Sequence, residues 1–516
     1  MIIKDINKRK NIKIAMVQPD AGLSVTNTDT YAVPLGLGSI ATYCKQKHPE
    51  IDILLIGAYT DMPHEEQMKK ILEYNPDILA ISSTISSQEN AYDIAKKAKE
   101  QNKNIIIVFG GVNSTSLYEQ ILKNRDFVDA IILFDGEEAF AEVVDRVKKN
   151  KSFEGINNLA YKDKKGLHID KNKITIKIPS LCKILDKNPP IDYSVFDMNT
   201  FLKKTEMRGF GRAISYFGGK GCIKRRGFFK EKIYTLKEYE DLVNNMGACS
   251  FCGRNELGYR ILPWSLEKEL INYLYEKYGV RGLFNVQDVV SLDEEQGDPK
   301  WKNTWFRFFI MAGQVTQKNI DILKKKYSPN LVLQIGVESV DPNMLKEFGK
   351  SPEFTREYYL KNLDLMEKNG IQAHYTFVLG GSNETRESLK KTGDFIKEIV
   401  KRKNVTWIGA SPLIVLPGSP YFRMLSEKEK KLKDKDLFDV SELHRLFLRH
   451  FAPKITREDV LNIIKDCFSY AKLIRSDLIL DGKGLTKEEE KFVGSYRPYT
   501  HKEGSWTFNF VQNKKN

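Results

Sequence analysis

Ala213-Ile214-Ser215-Tyr216-Phe217-Gly218-Gly219-Lys220-Gly221-Cys222, resumed after twenty-six residues by Cys249-Ser250-Phe251-Cys252, is the stretch on which the reading of this chain turns. An apolar, β-prone run (213–217) enters a glycine-rich turn, and a C-x-aromatic-C element follows. That pattern predicts a metal loop at the end of a strand. The chain has six cysteines in 516 residues, and three fall in this region. A structural zinc site uses four protein ligands, and no histidine lies near enough in sequence to be an obvious fourth. Three thiolates suffice for a cubane iron–sulfur cluster, because its fourth iron can bind a reacting molecule.

The surrounding sequence has a strand–helix rhythm. Apolar runs at residues 213–217, 282–286, 306–311, 331–337, 372–378 and 405–410 alternate with helical periodicity at 266–278, 317–327, 357–369 and 386–401. Six such repeats predict a partial (β/α)6 barrel over 205–425, with its site at the carboxyl ends of the strands. The cysteine loop follows the first of these strands, at that end.

The first 150 residues show a similar rhythm. Residues 12–17, 51–56, 78–82, 105–109 and 130–134 read as buried strands, with helical segments at 37–47, 65–74 and 89–100. This predicts a doubly wound parallel sheet that binds a ligand beyond its strand ends. Small and polar residues gather there: Ser82, Ser83 and Thr84; Gly110, Gly111, Asn113, Ser114 and Thr115; Gly136 and Glu137. Glycines admit close approach of backbone to a ligand, and hydroxyls supply short-range donors and acceptors.

Residues 151–204 read as a linker with short strands at 156–161 and 174–178, and 426–516 as a mainly helical region with an aromatic tail. That tail (Tyr496, Tyr499, Trp506, Phe508) is expected to fold back on the barrel. Cys44 and Cys467 lie on apolar helical faces and read as buried thiols; Cys182 reads as an unligated one. His374 lies on a barrel strand, where packing and a reach into the site are both open.

The net charge of +14 comes from 82 basic residues dispersed among 68 acidic ones, a mixture that argues against a nucleic-acid partner. No apolar run approaches the ~18–20 residues of a membrane span. The basic first ten residues lack the apolar core of a secretory signal. Few cysteines without disulfide-like spacing point to a reducing cytoplasm.

Taken in order, several segments resemble the cobalamin (B12)-binding-domain-containing radical SAM proteins. In the first unit these are Gln18-Pro19 through Pro34-Leu35-Gly36-Leu37, the G-G-x-x-x-T at 110–115, and V-D-A-x-x-x-x-D-G-E-E at 128–138. The second unit is similar along 205–420: Cys222 with Cys249–Cys252, Phe284-Asn285-Val286-Gln287-Asp288-Val289, Gly336-Val337-Glu338-Ser339, Gly380-Gly381 with Glu384-Thr385, and Pro417-Gly418-Ser419-Pro420. The resemblance implies a [4Fe-4S] cluster on Cys222, Cys249 and Cys252. It implies S-adenosylmethionine (SAM) held near Phe251, Val286, Asp288, Glu338 and Ser339, with Glu338 toward the ribose. Cobalamin is implied at the polar strand ends of the first unit, with the loop from Asp20 to Val33 against the corrin.

The D-x-H-x-x-G motif that ligates cobalt elsewhere is absent, and His48 and His64 lie outside any such pattern and read as surface histidines. On this resemblance the chain is a radical enzyme that methylates an unactivated carbon of a small-molecule or peptide substrate, fed by flavodoxin or ferredoxin. Radical cyclisation or rearrangement without methyl transfer, and a non-catalytic corrinoid carrier, are the alternatives.

One departure bears on all of this. The family spaces its first two cysteines by three residues; here twenty-six intervene. Thr235-Leu236-Lys237-Glu238 reads as a capping box, apolar positions continue through Met246, and Gly247 is a stop signal, so the insertion predicts a helix. Residues 223–235 could span up to about 43 Å, enough to double back. Whether Cys222 meets its partners or stands apart is open at this level.

Overall fold

The computed structural model describes residues 12–21, 32–178, 191–225, 233–245, 249–254 and 258–495. Five strands form the parallel part of the first sheet: β1 (Lys13–Gln18), β2 (Asp52–Gly57), β3 (Ile78–Ser82), β4 (Ile106–Gly110) and β5 (Ala130–Ile132). Their order is β2-β1-β3-β4-β5, with the switch point at β1 and β3. Apart from the first half of the edge strand β2, the strands are buried on both faces, which is why they read as apolar runs rather than alternations. Helices Leu35–Lys47 and Glu137–Lys148 pack together on one face, and His64–Tyr74 and Gln88–Gln101 on the other.

Two further strands, β6 (Leu159–Asp163) and β7 (Gly166–His168), add antiparallel to β5 and extend this sheet to seven strands. The segment expected as linker is therefore partly an edge of the first unit. Short strands around a turn give no sequence signal for the sheet they join. Strand β8 (Thr175–Lys177) instead pairs outside this sheet. The Cys182 and Pro189-Pro190 positions lie outside the described residues, as do 1–11 and 496–516 with the aromatic tail.

The second sheet contains β9 (Ala213–Tyr216), then, after the short β10 (Gly219–Lys220), β11 (Ile233–Thr235) and β12 (Arg260–Ile261), the strands β13 (Gly282–Asn285), β14 (Trp305–Phe309), β15 (Asn330–Glu338), β16 (Gln372–Leu379) and β17 (Val405–Pro412). A seventh parallel strand, β18 (Ile479–Asp481), pairs with β17. The region expected to be mainly helical thus returns a strand to the barrel after helices Val440–Phe451 and Arg457–Ile474. Three residues are too few to show a period.

Alternation along β15 shows which face is which. Leu331, Leu333, Ile335 and Val337 are fully buried under helices, whereas Gln334 and Gly336 on the other face are partly exposed. The sheet curls around that second face. The Arg307 guanidinium on β14 lies 4.3 Å from the Phe284 ring on β13 and 5.0 Å from the Trp407 ring on β17. In a flat sheet those outer strands would stand about 19 Å apart. The curled strands enclose a lumen.

The 26-residue insertion is not a loose loop where it is described. Strand β11 pairs antiparallel with β8, and helix Leu236–Asn245 buries Leu236, Tyr239 and Val243 in the core of the first unit. Thr235 and Glu238 close the expected capping box: the Glu238 backbone donates to Thr235 Oγ1 at 3.2 Å, and the Thr235 backbone donates to Glu238 Oε2 at 2.8 Å. Met246 and Gly247 lie outside the described residues. The insertion thus anchors the second unit to the first.

Candidate functional site

Both sheets direct their carboxyl ends to one cavity of about 280 Å³. From the first unit it is lined by Leu35, Gly36, Ser82, Gly110, Gly111 and Phe134 to Glu137. From the second it is lined by Phe217, Gly219 to Gly221, Arg254, Val286 and Asp288. Its lining combines apolar residues (Ala80, Val108, Ile132, Phe140) with polar ones, the character of a cofactor cleft. A β-carbon on Gly36 would meet nothing within 4 Å, and one on Gly110 only Ile132 O at 3.8 Å, so bare backbone faces the cavity there. At Gly111 φ is +92° and a β-carbon would come within 3.1 Å of Ser83 O, so this position requires glycine.

A buried four-charge network joins the two walls. Asp135 accepts from Lys220 Nζ at 2.6 Å and from Arg260 at 2.7 Å, and Lys220 reaches Glu137 at 3.2 Å. Ser39 Oγ also donates to Glu137 Oε1, at 2.7 Å. Burial pushes the Asp135 carboxyl up, but Lys220 and Arg260 outweigh it and hold the group well below the usual carboxylate range. Burial likewise pushes Lys220 down, and Asp135 and Glu137 more than reverse it. Two positive and two negative charges cancel, which lets this interface stay dry. Glu137 Oε2 is buried in the cavity wall without a hydrogen-bond partner among the described residues. An acceptor left in that state fits a ligand carrying amide donors, such as the corrin side chains.

The three cysteines are free thiols of intermediate exposure. Gly221 carries φ +85°, and a β-carbon there would meet Gly258 O at 1.9 Å, so the strand leading into Cys222 lies tight against the chain at Gly258, six residues past Cys252. Lys224 Nζ donates to Cys249 Sγ at 3.5 Å. Cys249 O accepts from Cys252 N at 3.0 Å, forming the turn of the C-S-F-C element. Ser250 bonds Glu347 O through its hydroxyl and accepts from Tyr421 N at 3.0 Å through its carbonyl. Burial pushes the Cys222 thiol up, and Asp288 and Cys249 add to it, so these groups share one electrostatic environment. The insertion packs on the first unit, and at its two ends Lys224 lies beside Cys249. Among the described residues, no three His, Cys, Asp or Glu side chains converge tightly enough to chelate a single metal ion. The donor set, three soft thiols on one loop end, fits an iron–sulfur cluster.

The expected SAM residues divide. Val286 and Asp288 line the cavity, and Asp288 pairs with Arg254 at 3.1 Å. Phe251 packs edge-on against Phe348 at 5.4 Å, beneath the cysteine loop. Glu338 ends β15 with φ +63°, a conformation rare outside glycine, and its carboxylate pairs with Lys350 at 2.9 Å. The Ser339 hydroxyl is buried, meets Thr392 Oγ1 at 3.0 Å and accepts from Asp341 N, so it serves the turn.

The expected cobalamin residues divide as well. Ser82, Gly110, Gly111, Gly136 and Glu137 line the cavity. Ser83 and Asn113 both donate to Gln88 Oε1, at 2.7 and 2.8 Å, and Ser83 lies 3.1 Å from Ser114 Oγ, so these three brace the loops. Thr84 caps the short turn before Gln88–Gln101. Thr115 faces a second, polar cavity of about 580 Å³ between the first unit, the insertion helix and Phe422 to Ser426. Phe134 (φ +63°) lines both cavities and packs 4.4 Å from the Tyr239 ring. The loop from Asp20 to Val33 is described only at its ends, where Val33 N donates to Ser215 Oγ inside the barrel at 3.1 Å.

His48 and His64, expected at the surface, are part-buried and bonded to Ala141 O and Asp93. Cys44 and Cys467 are fully buried. Sequence reasoning missed Lys220, Arg260 and Asp135 as a unit. The signals were a lysine inside G-G-K-G and the aspartate opening D-G-E-E.

Residues 23–144 match the B12 binding domain family. An uncharacterized methyltransferase of Pyrococcus horikoshii is 24% identical over 412 residues, covering 76% of this chain and 79% of the relative. An anaerobic magnesium-protoporphyrin IX monomethyl ester cyclase of Rubrivivax gelatinosus is 24% identical over 358 residues, 66% of this chain and 58% of that protein. Among solved structures, the radical S-adenosylmethionine methyltransferase TsrM of Kitasatospora setae, with cobalamin and a [4Fe-4S] cluster bound, superposes with a TM-score of 0.60 at 12% identity, covering 81% of this chain and 75% of that one. No helix among the described residues is long and apolar enough to cross a membrane. The first unit is a B12 binding domain, and the chain as a whole has the fold of the cobalamin-dependent radical SAM proteins.

Proposed function

We propose that the chain is a cobalamin-dependent radical SAM methyltransferase acting on an unactivated carbon of a small-molecule or peptide substrate. One observation carries this reading: a single cavity is walled by the strand ends of both units, with Gly221, next to Cys222, and Asp288 in its lining. The cluster would supply the electron that splits SAM, and cobalamin the methyl group.

The chain's own residues have definable tasks. Cys222, Cys249 and Cys252 would hold the cluster, and Lys224 is an N–H donor to the Cys249 sulfur. Glu338, turned by its left-handed backbone and steadied by Lys350, would accept from the ribose hydroxyls. Gly36 and Gly110 leave room for a flat macrocycle, and Glu137 Oε2 would accept from its amides. The Asp135–Lys220–Arg260–Glu137 network keeps the two walls together and water out, which strengthens every polar contact inside. Flavodoxin or ferredoxin is the class of donor this chemistry requires.

The test is anaerobic reconstitution with iron, sulfide and cobalamin, then incubation with SAM and reductant. The proposal predicts 5′-deoxyadenosine, and S-adenosylhomocysteine formed in step with methylated product. Likeness to the Rubrivivax cyclase favours a second reading, radical cyclisation without methyl transfer. 5′-Deoxyadenosine and product without S-adenosylhomocysteine would establish that reading instead.

A further inference from the structure

Below the cofactor cavity the barrel lumen has a polar floor that no residue assigned above explains. His374 on β16, Gln334 on β15 and Trp407 on β17 are cross-strand neighbours on the lumen face. His374 is 1% exposed, and neither ring nitrogen has a hydrogen-bond partner among the described residues. An imidazole always carries at least one N–H, and leaving it unpaired in a core costs about 1–3 kcal/mol. Packing alone would be served better by a leucine or phenylalanine.

The neighbours supply the chemistry. Arg307, 2% exposed, holds its guanidinium over the Phe284 and Trp407 rings; its Nε donates to Gln334 Oε1 at 3.0 Å, and its Nη2 donates to the same oxygen. Those two bonds occupy the Gln334 oxygen, and its amide NH2 is the donor end of the side chain. The Trp407 ring lies 5.2 Å from the His374 ring, fixing its tilt. Burial, then the Arg307 charge, pushes the His374 imidazole well below its ordinary range, so it stays neutral and keeps one donor. Gln334 beside it, and Gly336, Thr376 and Val378 further along the strands, are partly exposed, so the floor opens to the lumen. A fixed positive charge, an imidazole N–H and an amide N–H on one face are matched by an oxyanion.

We propose that His374, Gln334 and Arg307 form a recognition site for an anionic group of the substrate, a carboxylate or a phosphate-type oxyanion. The site sets which molecule enters the barrel and how deep it sits. This rests on the reading of the lumen as the substrate chamber.

The test needs neither cluster nor SAM cleavage, so its failure and that of the proposed function are separable. The full-length chain, with its histidine rings 15N-labelled, is titrated with sodium acetate and with inorganic phosphate against sodium chloride at matched ionic strength. The His374 signal is identified by its loss in His374→Asn, or in His374→Gln should the first variant not fold. The expected result is a saturable shift of that signal with acetate or phosphate but not chloride, with affinity falling about tenfold in Arg307→Gln, the scale of one charge-assisted hydrogen bond. A His374 signal unmoved by both anions in the wild-type chain overturns the proposal and makes the floor a packed layer.

Discussion

Lys224 Nζ lies 3.5 Å from Cys249 Sγ although 25 positions separate the two residues. The contact shows that the long insertion leaves the cysteine loop and returns to it. The insertion is held in its excursion by β11 on β8 and by Tyr239 against Phe134.

Tyr239→Ala should therefore act at a distance. Removing a fully buried aromatic ring costs about 3 kcal/mol or more, and here the loss falls on the anchor of the insertion. The expected outcome is a lower melting temperature together with reduced iron loading after reconstitution. Normal iron content with the lowered melting temperature would show that the anchor and the cysteine loop are uncoupled.

Lys220→Met removes one cation from the network across the two units. Asp135 keeps Arg260, but Glu137 loses its one ion-pair partner among the described residues, in a site where it is 2% exposed. Breaking a buried pair from one side costs about 3–5 kcal/mol. The melting temperature should fall sharply, and limited proteolysis should release the two units. Lys220→Arg should retain most of the stability.

Gly110→Val places methyl groups where the cavity is empty of protein atoms. Stability should change little, because the nearest obstacle to a β-carbon is 3.8 Å away. Hydroxocobalamin affinity, followed by visible absorbance, should fall at least about tenfold. Unchanged affinity would place the corrin elsewhere.

Glu384 is buried behind the Gly380-Gly381 turn, accepting from Gly380 N at 3.2 Å and from Ser388. Burial pushes its carboxyl up to about 7, with Asp341 adding to the effect against the hydrogen bonds from Ser388 and the two glycines. Between about pH 4.5 and 7 the folded chain then holds a proton that the unfolded chain has lost. Stability should fall as pH rises through that window, by on the order of 3 kcal/mol for this group. Chemical denaturation of Glu384→Gln should show a shallower decline over the same range.

Much of this was legible in the sequence. Continuous apolar strands such as Ile78–Ser82 announce a sheet buried on both faces. What was not legible depended on partners far away in the chain. Strand β18 is three residues long and gains its identity only by pairing with β17. Ser83 and Ser114 read as ligand hydroxyls, yet their neighbours are each other and Gln88. Lys220 and Asp135 are ordinary surface residue types until the two units meet and bury them.

The central claim is that Cys222 completes a cluster with Cys249 and Cys252 in spite of the insertion. Iron content after anaerobic reconstitution, compared between the wild-type chain and Cys222→Ala, Cys249→Ala and Cys252→Ala, tests it directly. The account predicts about four irons per wild-type chain and loss of the cluster absorption and of 5′-deoxyadenosine formation in each variant. A Cys222→Ala chain that keeps wild-type iron and still cleaves SAM would contradict it.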